Sequence, residues 1–149
     1  MTPSFPDLFS YDNEANKDFI DLILQQEVLP ERIHVLMSHI FNAQDIWVSR
    51  MLEKKPSYGV WERHEPSTYH GIREQLQARI KDVLSGGNLT QEVHYTNSQG
   101  KAFLNTRLQI LFHLINHGTQ HRGQIAALLS ESGIKPPSND YIFRRRQIL

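Results

Sequence analysis

The stretch LFHLINHGTQHRGQIAALL, Leu111 to Leu129, decides how the rest of the chain is read. Two histidines, His117 and His121, stand four residues apart inside an apolar run. On a helix that spacing is about one turn, roughly 6 Å along the axis, and nearly one face. Both imidazoles can therefore address a single ion. They share a flank with Ile110, Leu114, Ile125 and Leu128, so the pair is expected to point toward the protein interior. Polar rings in an apolar wall need partners. A metal ion is one answer, and ordinary bonds to backbone or other side chains are the other.

The helix that carries them has readable ends. Thr106 and Gln109 form a capping box, and Gly133 supplies the stop. Working outward, a first helix is expected over about Asp12–Glu27, with Phe19, Ile20 and Ile23 on one face. A second runs over about Glu31–Leu52 and is striped with Ile33, Leu36, Met37, Ile40, Trp47 and Met51. Pro56 to Pro66 reads as a crossover loop carrying Trp61. A third helix starts near Ser67 or Thr68, carries Ile72, Leu76, Ile80, Val83 and Leu84, and stops at SGGN. Val93 and Tyr95 alternate with polar residues before the turn sequence NSQG, which predicts a small β-hairpin ahead of the last helix. The two-proline tail is expected to be mostly irregular. These elements describe an all-α fold, a four-helix bundle with a long crossover between helices 2 and 3, in one domain over residues 1–149.

Composition narrows the function. Sixteen basic residues balance sixteen acidic ones, which argues against a nucleic-acid partner. There is no cysteine, so thiolate ligands and a cysteine nucleophile are excluded. The N-terminus does not read as a signal peptide, and no apolar run is long enough for a membrane span. A cytoplasmic protein is the expectation. With eight histidines, a transition-metal site would be built from imidazole and carboxylate.

Two ligands underfill a catalytic site of the zinc type, which usually has three. The best third candidate is His39, on a line with Ala43 and Ile46 beside the main stripe of helix 2. His34 points elsewhere, His64, His70 and His94 read as exposed, and His113 reads as surface or as a neighbour of the ligands. Asn16, Asn42 and Gln124 are candidates for orienting the imidazoles, or are ordinary interface residues. Arg122 lies on an apolar meridian. It is expected to form a structural ion pair, with Asp140 as the candidate partner, or else to bind substrate. Arg144–Arg146 reads as a solvated tail.

HLINHGTQHRGQIAALLSESGIKPPSNDY, His113 to Tyr141, resembles the C-terminal signature of the DinB-like (DinB/YfiT) superfamily. SHIFNAQDIWVSRML and YDNEANKDFIDLI resemble that family's second and first helices. The resemblance implies an up-down-down-up four-helix bundle, often a homodimer. It also implies a divalent metal, zinc or nickel, held by three histidines that correspond here to His39, His117 and His121. The family includes thiol-dependent transferases and isomerases, which points to a small-molecule substrate and a small thiol cosubstrate.

The histidine pair differs from the metalloprotease motif H-E-x-x-H in having Gly118 where that motif has its general base. Protease-style hydrolysis is therefore disfavoured, and metal-dependent thiol transfer is the expected reaction. The alternative is a non-catalytic metal-binding or dimerising, stress-related interaction protein. Gly118→Glu would rebuild the motif at small helical cost.

Overall fold

Ser4 starts the first helix earlier than the apolar period suggests. Its side chain accepts from the Asp7 N–H at 3.4 Å, and a proline follows in the first turn, where a missing N–H costs nothing. The computed structural model describes residues 3–149. Its helices are α1 (Phe5–Leu24), α2 (Glu31–Met51), α3 (Tyr69–Ser85), α4 (Arg107–Glu131) and a short α5 (Tyr141–Arg145). A 3-10 turn, Pro66–Thr68, leads into α3. The hairpin β1 (Glu92–Thr96) and β2 (Ala102–Thr106) is antiparallel, pairing Val93 with Asn105 and Tyr95 with Phe103. The chain is thus mostly helical with one small hairpin.

Local chemistry explains the ends. Thr106 and Gln109 cap α4 reciprocally, as expected. Gly133, at φ 77°, then lets the Gly133 and Ile134 N–H groups return to the Ser130 and Leu129 carbonyls. The same closure ends α2 with Glu53 at φ 54°, its own N–H reaching the Arg50 carbonyl and that of Lys54 the Ser49 carbonyl. α1 begins at Phe5 rather than near Asp12. The tail is mostly irregular, as expected, apart from the short α5, which folds back onto α1.

α1 packs on α3 and α4, and α2 packs on the same two helices. The four long helices therefore close a ring in which the α1/α3 and α2/α4 seams face opposite sides. The core is split along its length. One cluster gathers Phe19, Ile20, Ile33, Met37, Tyr69 and Ile125. The other gathers Phe9, Val48, Ile80, Val83, Ile110 and Leu114. In sequence, each long helix changes cluster at mid-length, and α1, α2 and α4 carry buried polar residues at that level: Asp12 and Asn16, Gln44 and Asp45, and Arg122.

Arg122 is completely buried. Its Nη1 donates to Asp12 Oδ1 at 2.6 Å and to Asn16 Oδ1 at 2.7 Å, and its Nε donates to Asn139 Oδ1 at 2.9 Å. Gln44 Nε2 donates to the other Asp12 oxygen at 2.7 Å. The partner is Asp12 and not Asp140, which is exposed at the start of α5. A charge at zero exposure needs a partner at equal depth, and Asp12 on α1 has that depth. Gly118, one turn before Arg122, leaves room for the pair. A Cβ there would stand 2.7 Å from Asp12 Oδ1 and 3.1 Å from Arg122 Nη1.

Two of the three tail arginines, Arg144 and Arg145, are paired and not merely solvated. Arg145 bonds Asp7 at 2.8 Å and Glu14 at 3.0 Å, Arg144 bonds Asp18 at 2.8 Å, and the Tyr141 hydroxyl donates to Asp7 at 2.5 Å. The Tyr141 hydrogen bond, followed by Arg145, holds the Asp7 carboxyl below its ordinary range. Burial pulls Glu14 upward, but bonds from Arg145 and Ser10 outweigh it and leave Glu14 low as well. No helix among the described residues is long and apolar enough to cross a membrane.

Two outcomes follow from this packing. Gly118→Ala gains helix propensity of about 1 kcal/mol but forces the short, doubly held Asp12 side chain aside. It is expected to destabilise by a net ~1–3 kcal/mol, read as a lower urea midpoint at unchanged slope; a raised midpoint would contradict the packing. The second concerns pH. Carboxylates with lowered pKa stabilise the docked tail above their unfolded pKa, and that stabilisation is lost as pH falls through their folded values. Amide exchange in residues 141–146 should therefore accelerate relative to α2 on acidification from about pH 6 to about pH 3, and equal protection throughout would refute the tail's dependence on Asp7 and Glu14.

Candidate metal centre

His39 sits at the middle of α2, and His117 and His121 lie one turn apart on α4. Because α2 and α4 are neighbours in the ring, the three imidazoles meet across one seam. His117 Nε2 lies 3.1 Å from His39 Nε2 and 3.1 Å from His121 Nε2. All three rings offer a nitrogen within 4.8 Å of the others. Nitrogens around a tetrahedral zinc at about 2.0–2.1 Å would stand roughly 3.3–3.4 Å apart, so the observed spacing is close to a ligand set.

The outer nitrogens show why this is not simply a hydrogen-bonded core. His39 Nδ1 faces the Val60 carbonyl at 3.0 Å, and His121 Nδ1 faces Gln124 Oε1 at 2.7 Å. Both are acceptors, so each neutral ring spends its only proton outward and turns a lone pair inward. His117 then meets two inward lone pairs with at most one N–H. One of the two short contacts is left without a proton, and a cation is the partner that all three lone pairs accept. The donor set fits a divalent ion.

Burial keeps two of the rings, His117 and His39, in the form that can coordinate. Burial, then His121 and His39, push His117 down to about 3. Burial also lowers His39, with the Val60 carbonyl acting against it. His117 and His39 are therefore neutral in the ground state near neutral pH.

The crossover loop completes the surroundings. Trp61 stacks on His39 with centroids 3.9 Å apart and planes at 10°, yet remains 56% exposed. Asn42 Nδ2 donates to the Val60 and Glu62 carbonyls at 3.2 and 2.8 Å, and its Oδ1 lies 2.6 Å from His64 Nε2. Asn42 thus holds the same loop carbonyl that orients His39. His64 is buried and not exposed, because the loop folds it inward against Asn42 and Ser38. Gln124 bonds His121 directly, whereas Asn16 lies with Arg122 and Asp12 and bonds neither of the α4 histidines nor His39. Trp61 and His64 carried no helical period, and only their ring chemistry within a loop could have drawn attention to them.

Position 118 faces α1. A side chain there would run into Asp12 and Arg122 rather than toward the imidazoles. The low helical cost expected for Gly118→Glu is therefore overturned by packing, and the substitution does not rebuild H-E-x-x-H beside the histidines.

A model of the DinB family matches residues 25–147, a span that contains α2, the crossover loop and α4. The Bacillus subtilis (strain 168) protein named Protein DinB is 29% identical over 132 residues, covering 78% of this chain and 73% of its own length. With the matched span holding all three convergent histidines, the chain belongs to the DinB family.

Proposed function

We propose that the chain is a divalent-metal-dependent transferase that acts on a small molecule with a thiol as cosubstrate. The observation that carries the reading is the convergence of the His39, His117 and His121 Nε2 atoms, two of them locked in the coordinating tautomer from outside. His39, His117 and His121 are the ligands in this reading, zinc or nickel is the ion, and the fold is an up-down-down-up four-helix bundle. When bound, the ion supplies Lewis acidity that favours a thiol or water in its deprotonated form.

The chain's own residues set the rest. Val60, held by Asn42, and Gln124 fix two rings so that binding an ion costs little reorientation. Trp61 covers the His39 face and limits water there. Gly118 is committed to α1, so α4 offers no carboxylate next to His117 for protease-style water activation. That favours an incoming nucleophile acidic enough to lose its proton through the ion's charge alone, and a thiol meets that requirement better than water. A homodimer is part of the reading. Leu108 and Phe112, one turn apart on α4, are 45% and 65% exposed, apolar side chains suited to burial against a second copy.

The test is elemental analysis of natively purified protein. It is expected to carry close to one zinc or nickel per chain, with sharp loss in His117→Ala and His121→Ala, weaker retention in His39→Ala, and no change in His94→Ala, whose side chain is 74% exposed. His64→Ala is not a neutral control: it releases Asn42 and should reduce retention. Unchanged metal in the two α4 variants would refute the ligand assignment. In nickel- or cobalt-loaded protein, adding cysteine should produce a thiolate charge-transfer band. Metal binding with no such band would move the reading to the non-catalytic alternative.

A further inference from the structure

On the side of the ring opposite the histidines, α1 and α3 enclose a cleft of ≈ 270 Å³. Its floor is the buried polar layer: Asp12, Asn16 and Gln44. Phe9, Ile80 and Leu84 form an apolar wall, and Arg73, Gln77 and Lys81 of α3 stand along it. The floor is already satisfied, since Arg122, Gln44 and Asn16 neutralise and bond both Asp12 oxygens.

The cations beside it are not satisfied in the same way. The Arg73 side chain is only 11% exposed, and its single carboxylate contact is at 3.5 Å to Glu74, itself 70% exposed. Its well-made bond goes to a neutral group, Asn13 Oδ1 at 2.8 Å, and a longer one to His70 Nδ1 at 3.4 Å. Lys81 forms no ion pair among the described residues. A guanidinium this deep normally has a carboxylate or phosphate against it. Here it has a cavity, with a second cation two turns along α3 and an apolar wall alongside.

We infer that the α1/α3 cleft is a second ligand site, separate from the histidine cluster, for a compact amphipathic anion: a carboxylate head on Arg73, a short hydrocarbon body against Phe9, Ile80 and Leu84, and Lys81 at the other end of the wall adding positive potential. The volume suits a small ligand. The wall selects an organic acid over inorganic phosphate, and the two cations select against an amine of the same length.

The test is amide NMR titration of the purified protein with hexanoate, hexylammonium and inorganic phosphate. Hexanoate is expected to shift Phe9, Asn13, Gln77 and Ile80 saturably, and to do so equally in His117→Ala, which separates this site from the histidines. Arg73→Gln removes the head-group partner and should weaken hexanoate about tenfold. Lys81 is exposed, so Lys81→Gln leaves the core untouched and should weaken hexanoate by a smaller factor, through the lost positive charge. The proposal is overturned by any of four results: no saturable shift in this cleft, hexylammonium binding as well as hexanoate, phosphate binding as well as hexanoate, or hexanoate shifts that disappear in His117→Ala.

Discussion

The ion pair between Arg122 and Asp12 is the constraint around which the helices are arranged. Both partners are at the centre of the ring and out of water, where an unpaired charge would cost several kcal/mol (about 3–5 when one partner of such a pair is removed). Each must therefore be met at a fixed height along its helix. That requirement sets the register of α1 against α4, and Gln44 extends it to α2 through the second carboxylate oxygen. Asn139 extends it to the chain beyond α4, where it bonds Arg122 and the Thr119 carbonyl. The apolar clusters on either side tolerate small shifts in packing, but a bonded charge in the interior does not.

The histidine cluster inherits this register. His121 precedes Arg122, and His117 precedes Gly118, the residue whose missing side chain admits Asp12. Rotation of α4 is thus limited from one side by Asp12, while the opposite flank presents two imidazoles to α2. His39 is then fixed from its own outer face by the Val60 carbonyl. A surface loop and a buried salt bridge, on different sides of the same two helices, both contribute to where three nitrogen atoms meet.

Much of this was legible in the sequence, for identifiable reasons. The His117–His121 spacing, the capping box at Thr106 and the stop at Gly133 are local signals, set by a single helix and its own backbone. The hairpin was legible because turn residues and alternation coincide. The start of α1 was missed because its cap, Ser4, lies a full turn or more before the first strong apolar period. The burial of His64 was missed because a loop has no periodicity that assigns it a face. Arg122 was recognised as a buried cation, but its partner is 110 residues away on a helix where Asp12 looks like any other acidic residue. Asn16 looked suited to orienting a histidine, yet it is drawn to the stronger demand of the guanidinium.

The placement of the two tryptophans gives the molecule an optical property. Trp61 lies flat on His39, and Trp47 meets the His113 ring edge-on at 5.6 Å, with that ring 5.4 Å from His117. The chain has no other tryptophan. Its entire indole emission therefore originates within one or two rings of the imidazole cluster, from one fluorophore on the crossover loop and one on α2, and a change in the charge or occupancy of those imidazoles is written directly into the protein's intrinsic fluorescence.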